Sequence, residues 1–180
     1  VKPKTAIILF LIAVIAVAVV LIIREYMTNK VSGYLSNANV QAFLRVIRYA
    51  EGTAGANGYR TMFTGKLFDN GYVDHPRQKN CAGNLCSTAA GAYQFLATTW
   101  DYLRLRLNLK DFSPLSQDMA AVELIREKGA LEDVIAGRFE NAIAKTNKVW
   151  ASLPGSPYGQ PTKTMAELKT KFNYYGGNFA

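Results

Sequence analysis

A single histidine, two cysteines and only 13 acidic residues against 21 lysines and arginines limit what this 180-residue chain can do. One histidine cannot build the imidazole clusters of common zinc or iron sites, and the cysteine pair has no second pair to complete a tetrahedral cluster. No metal site and no cofactor are therefore expected. The basic residues never gather into a run, and no nucleic-acid motif accompanies them. The net charge of +8 still asks for an anionic partner, and a membrane surface or an acidic wall polymer fits better than nucleic acid. Internal repeats are absent, and the one tract of low complexity is an apolar run near the start. The length suits one globular domain plus an appendage.

The apolar run is the appendage. Residues 6–23 are 18 apolar residues without a charge, Gly or Pro. As a helix they reach roughly 27 Å, enough to cross the hydrocarbon core of a bilayer. Lys2 and Lys4 precede the run; Arg24 and Lys30 follow it, with Glu25 between them. This modest bias points the N-terminus to the cytoplasm and the remainder across the membrane. Arg24-Glu25-Tyr26-Met27 offers no small-x-small cleavage site, so residues 1–24 are expected to stay attached as a signal anchor. The polar residues 25–36 are expected to form an irregular stalk, and residues 37–180 the folded domain.

Val40, Phe43, Leu44 and Ile47 repeat at the spacing of a buried helical stripe, with Ser36, Asn37 and Asn39 as candidate caps. Glu51 falls four residues after Ile47, on the same apolar face, and Gly52 lets the helix stop. A carboxylate there is poorly solvated, so its pKa should rise toward the range of a general acid working near neutral pH. The plain alternative is a helix-end Glu that bends out to water. Residues 54–80 lose the helical period and are rich in Gly, Asn and Asp, which predicts a turn-rich lobe with a small hairpin. Asp74-His75 within it suggests either acid–base chemistry or the shaping of a loop. Cys81 and Cys86 flank a Gly83-Asn84 turn; they are candidates for a small disulfide in an exported domain, or for two reduced loop thiols.

Residues 87–95 are expected to open a helix with Tyr93, Leu96, Trp100, Leu103 and Leu107 on its apolar stripe. Gln94 lies beside that stripe, where its amide can read a sugar hydroxyl or acetamido group. Ser116 or a neighbour should cap a helix reaching about Lys128, with Met119, Val122 and Ile125 inward. Short helices broken near Gly137 should follow. Residues 150–161 form a Pro/Gly loop carrying Trp150, Tyr158 and Gln160, aromatic and amide groups of the kind that hold carbohydrate. Thr164 and Glu167 make a capping-box pattern for a last helix ended by Gly176-Gly177. The expected class is α+β, mainly α.

Several of these stretches together resemble the bacteriophage lambda endolysin family, the lambda-type lysozymes that are lytic transglycosylases. They are Glu51-Gly52-Thr53; Gly65-x-Leu67-Phe68 with Asp74-His75-Pro76-Arg77; Ser87-Thr88-x-x-Gly91-x-Tyr93-Gln94; residues 109–118; and Trp150 to Gly155 with Tyr158-Gly159-Gln160. The resemblance covers about residues 40–176. It implies a two-lobed lysozyme-like fold around a glycan cleft, with Glu51 as the catalytic acid. Loops around 78–87 and 150–162 would act as lips, and Tyr93, Gln94, Tyr158, Gln160, Asp74 and His75 as substrate-binding residues. It implies cleavage of the bond between N-acetylmuramic acid and N-acetylglucosamine in peptidoglycan, acting as a monomer and causing host lysis.

The rivals are a hydrolysing muramidase with Asp74 or Asp69 as second carboxylate, a non-catalytic wall-binding module, and a nucleic-acid binder. Familiar members of the family are soluble, so the anchor and the cysteine pair look like additions. The expected location is the host inner membrane with the domain in the periplasm. The anchor carries four Ala among Ile, Val, Leu and Phe. Release at lysis is preferred over permanent anchoring, because a lysis enzyme has to reach the wall.

Overall fold

The computed structural model describes residues 3–180; Lys2, counted above among the N-terminal charges, lies outside them. Helix α1 spans Pro3–Tyr34. Its apolar part, residues 6–23, is exposed along its whole length and touches no other part of the protein. An apolar helix without protein partners is what a bilayer would cover.

The same helix overturns the irregular stalk. α1 continues unbroken through residues 25–34 and joins the domain. Val31 is fully buried, and Met27 and Tyr34 pack against the core beside it. Thr28 Oγ1 donates to the Leu107 carbonyl at 2.5 Å, fastening α1 to the end of helix α3 (Ala97–Leu107). A short turn then leads to Asn37, whose side chain caps α2 (Ala38–Ala50) by accepting from the Val40 backbone N–H at 3.1 Å.

α2 is the central helix of the larger lobe. Val40, Phe43, Leu44 and Ile47 are buried as their spacing requires. They pack against α4 (Pro114–Glu127), α5 (Leu131–Ile135) and α7 (Met165–Tyr174), with α6 (Phe139–Thr146) behind α5. Ser113 caps α4 with Pro114 in its first turn, and Thr164 caps α7 by accepting from Glu167 N–H. The expected inward residues Met119, Val122 and Ile125 are buried.

The smaller lobe is built from turns. Two short 3₁₀ segments, Gly58–Arg60 and Phe63–Gly65, precede a hairpin of β1 (Asn80–Ala82) and β2 (Leu85–Ser87). The hairpin therefore stands after the Gly-rich stretch rather than within it. Its strands are antiparallel with Cys81 opposite Cys86, and the two cysteines are joined as a disulfide. His75 and Trp100 meet Phe112 edge to face beneath this lobe, and Phe68 packs on Phe112 at a tilt.

The expected helix over 87–95 is absent. Ala90 and Phe95 instead exchange both backbone hydrogen bonds around a tight turn, at 3.0 and 2.9 Å. Gly91 has φ +78°, and a Cβ placed there would meet Gln117 Oε1 at 2.3 Å, so only glycine lets the turn lie against α4. Helix α3 begins at Ala97, and its buried face is Trp100, Leu103 and Leu107; Leu96 is largely exposed.

Candidate active site

Three segments meet at the C-terminal end of α2. Glu51 is the residue that closes the helix, its N–H bonded to the Ile47 carbonyl at 2.9 Å. Gly52 turns the chain with φ +73°. Buried Thr53 then donates from Oγ1 to the Ala92 carbonyl at 2.5 Å, locking residues 51–53 onto the 90–95 turn. Trp150 Nε1 donates to the Tyr93 carbonyl at 3.2 Å and brings in the third segment. From it, Ser152 Oγ donates to Glu51 Oε1 at 2.5 Å.

Burial pushes the Glu51 carboxyl above the usual range, and the hydrogen bonds from Ser152 oppose that without cancelling it. A carboxyl held this way keeps its proton at higher pH than a surface Glu does. It lies on an open cleft of about 820 Å³ between the two lobes. Among the described residues Glu51 is the only Asp or Glu on the cleft wall. A smaller hollow of about 330 Å³, beside Gly137 and Phe179 on the helical lobe, has no residue in common with this cleft.

The cleft gathers four of the other candidates, in different roles. Tyr93 belongs to the wall but is buried; its hydroxyl donates to Asp118 Oδ1 at 2.6 Å, as Tyr59 does at 2.8 Å. Burial raises Asp118, against the pull of both tyrosines, and raises Tyr59 to about 12. Tyr93 is thus a structural support for the cleft rather than a group that reads sugar hydroxyls. Gln94, held at φ +50°, commits its amide nitrogen to the Thr61 and Gly91 carbonyls at 3.0 and 2.9 Å. Tyr158 is exposed, with its hydroxyl on the Lys148 carbonyl at 2.9 Å, and Gln160 is exposed beside it on the same wall.

Asp74 and His75 are not on the cleft. Burial works against the charge on Asp74, but bonds from Arg77, Trp100 and the His75 backbone outweigh it and hold the carboxyl well below the usual range. Arg104 bonds the same carboxylate at 2.9 Å. His75 is buried; its Nδ1 accepts from Arg77 N–H at 3.0 Å and its Nε2 lies 2.9 Å from the Phe95 carbonyl. Those partners define an Nε2–H neutral imidazole, and burial lowers its pKa in agreement. The pair staples the small lobe together. Asp69, the other candidate second carboxylate, is exposed and paired with Arg60 at 3.2 Å. Both carboxylates that a hydrolytic scheme would recruit are therefore placed elsewhere. Cys86, Leu85 and Ser87 line the cleft, so the disulfide-tied hairpin forms one of its lips.

Sequence reasoning missed the role of Ser152, which lies 101 positions from Glu51 and carried no local signal. It also missed Lys128 and Lys148, two cations on the cleft rim.

A mainly helical two-lobed domain with one shielded carboxyl group on the wall of an open cleft defines a lysozyme-like enzyme. Comparison with known proteins narrows this. The family model described as Endolysin matches residues 41–179, and the chain belongs to that family. The endolysin of Escherichia phage P2 is 42% identical over 159 residues, covering 79% of this chain and 95% of the relative. The endolysin of Escherichia phage lambda is 41% identical over 148 residues, covering 78% and 93%. Among solved structures, the bacteriophage lambda lysozyme complexed with a chitohexasaccharide superposes with a TM-score of 0.77 at 40% identity. That match covers 80% of this chain and 97% of the other. A further lysozyme structure from bacteriophage lambda matches with a TM-score of 0.73. The protein is a phage endolysin, an enzyme that degrades peptidoglycan. The readings as a non-catalytic wall-binding module and as a nucleic-acid binder give way to it.

Proposed function

We propose that this endolysin is a lytic transglycosylase with Glu51 as its acid and base. The observation that carries the proposal is the solitary carboxylate. Most hydrolytic glycosidases flank the scissile bond with two carboxyl groups, whereas this cleft offers one among the described residues. One suffices when the substrate supplies the nucleophile. Protonated Glu51 donates to the glycosidic oxygen between N-acetylmuramic acid and N-acetylglucosamine as the bond to muramic C1 breaks. The resulting carboxylate takes the proton of the muramic C6 hydroxyl, and that oxygen bonds to C1. The product is a 1,6-anhydro ring; Glu51 is again protonated and no water is consumed. Intramolecular attack profits from a high effective molarity. Ser152 holds the Glu51 carboxyl in one orientation, and Tyr158, Gln160 and the Gln94 side-chain oxygen contact the sugars. The chitohexasaccharide in the lambda relative supports a β-linked amino-sugar chain as the occupant.

The test digests purified peptidoglycan with the full-length protein in detergent and weighs the fragments by mass spectrometry. Fragments one water lighter than hydrolysis products are expected. Fragments ending in free reducing sugars would overturn the transglycosylase in favour of a muramidase.

We further propose that residues 6–23 hold the protein in the inner membrane with the domain in the periplasm, and that the anchor leaves the bilayer at lysis. The exposed apolar surface of α1 supports the first part. Cell fractionation before and after membrane depolarisation should show the protein moving from the membrane to the soluble fraction. Protein that stays wholly with the membrane overturns release, and protein that is soluble from the outset overturns anchoring.

A further inference from the structure

The charges around the cleft are unevenly placed. The small lobe contributes Thr61–Gly65, Leu85–Ser87, Gln94–Leu96 and Thr99, none of which is charged. The helical lobe contributes Glu51, Lys128 and Lys148. Once Glu51 holds the proton it needs as an acid, the walls carry two positive charges and no negative one.

The two lysines share one rim. Lys128 closes α4 and Lys148 follows α6 by two residues. Lys145 on α6 donates to the Gly129 carbonyl at 2.9 Å, drawing the two helix ends together. Both rim lysines are exposed, and among the described residues neither makes a salt bridge or a side-chain hydrogen bond. The nearby acids are already engaged. Asp133 binds Lys145 and Arg138 at 2.6 and 2.7 Å, Glu127 binds Arg106 and Tyr102, and Glu123 binds Arg106 and Arg126. Two unneutralised cations in a substrate cleft repel each other and gain only when an anion arrives.

A chain of N-acetylglucosamine alone has no anion to offer. A peptidoglycan strand has one at every muramic acid, whose lactyl group carries a peptide ending in free carboxylates. We propose that Lys128 and Lys148 form a subsite for the stem-peptide carboxylates, so that the enzyme selects peptide-bearing glycan over bare glycan. This rests on the peptidoglycan-cleaving reading and names the part of the polymer the cleft recognises beyond its sugars. The Tyr158 hydroxyl, bonded to the Lys148 carbonyl, sets the sugar-contacting wall directly beside that subsite.

The experiment uses the full chain in detergent and two substrates: glycan strands bearing their peptides, and the same strands stripped by an amidase, with the lactyl carboxylates that stripping exposes capped as neutral methylamides. The readout is the ratio of kcat/KM on the two. The wild type should favour the peptide-bearing strand by about 2- to 30-fold, the range for two exposed ion pairs. In Lys128→Ala/Lys148→Ala the ratio should fall toward one, through a higher KM on the peptide-bearing strand. Lys128→Arg/Lys148→Arg should restore it, and added salt should shrink the wild-type preference. Lys110→Ala/Lys169→Ala, which removes the same charge away from the cleft, should leave the ratio as it was. A ratio unmoved by the rim substitutions, or lowered equally by the control pair, overturns the subsite while cleavage itself continues. Failure of the wild type to cleave either strand would instead strike the peptidoglycan reading, and the subsite with it.

Discussion

Glu51→Gln is expected to lower peptidoglycan cleavage by at least about 10²–10⁴-fold, the contribution of a positioned acid–base group, while making the folded protein more stable at neutral pH. The amide keeps the shape of the acid, and its oxygen can still accept from Ser152, so the cleft should be preserved. What disappears is the transferable proton and the buried charge. The sign of the stability change follows from the raised pKa. A carboxyl whose pKa is higher folded than unfolded favours the folded state when protonated. Its contribution is complete below the unfolded value of about 4.3 and is lost as pH rises through the folded value. The wild type therefore carries the desolvation cost at pH 7 and escapes it at pH 4. Melting temperatures of the two proteins should coincide near pH 4 and separate at pH 7, with the variant higher. Equal melting at pH 7 would mean that the carboxylate reaches water, and retained cleavage would remove Glu51 from the mechanism. Reduced stability at a site tuned for reaction is a recurrent trade in enzymes.

Cutting the chain before Arg24 and cutting it before Leu35 should have very different effects. The first removes apolar helix that touches nothing in the domain. The second also removes Val31, which is fully buried, the packed Met27 and Tyr34, and the Thr28 bond to Leu107. At roughly 25 cal/mol per Å² of apolar surface, losing those three side chains costs on the order of 3 kcal/mol. For a domain of this size that lowers the melting temperature by about 6–12 °C. The shorter deletion should melt with the full-length protein. Thermal unfolding followed by circular dichroism in one detergent checks both, and identical melting of the two deletions would show that residues 24–34 bear no weight in the fold.

The packing of that segment was legible in principle. Met27, Val31 and Tyr34 stand at i, i+4 and i+7, a narrow apolar stripe diluted by Thr, Asn, Lys, Ser and Gly. The stripes and caps of α2, α4 and α7 were broader and carried both ends of their helices. The 87–95 turn misled because Tyr93, Leu96 and Trp100 do repeat at helical spacing. What breaks the helix is the close approach of Gln117 to Gly91, a contact between distant segments. Glu51 could be found because its position depends on its own helix. Asp74 and His75 were neighbours in a suggestive pair, yet their partners Arg77, Phe95, Trp100 and Arg104 face them away from the cleft. The cationic rim was invisible for a similar reason: Lys128 and Lys148 are 20 residues apart, and it takes the folded cleft, with the Lys145–Gly129 bond drawing the two helix ends together, to set them on one rim.

The unbroken helix also fixes how far the cleft stands from the lipid. With residues 6–23 in a bilayer, the eleven residues from Arg24 to Tyr34 rise about 16 Å as a helix, and their far half is fastened into the domain. No slack leash separates the two. A domain of this length is about 40 Å across, so an anchored cleft works at a fixed altitude within that span of the lipid. Glycan lying farther out is beyond its reach however active the site is, and freedom to travel, rather than chemistry, sets how much of the wall one molecule can cut.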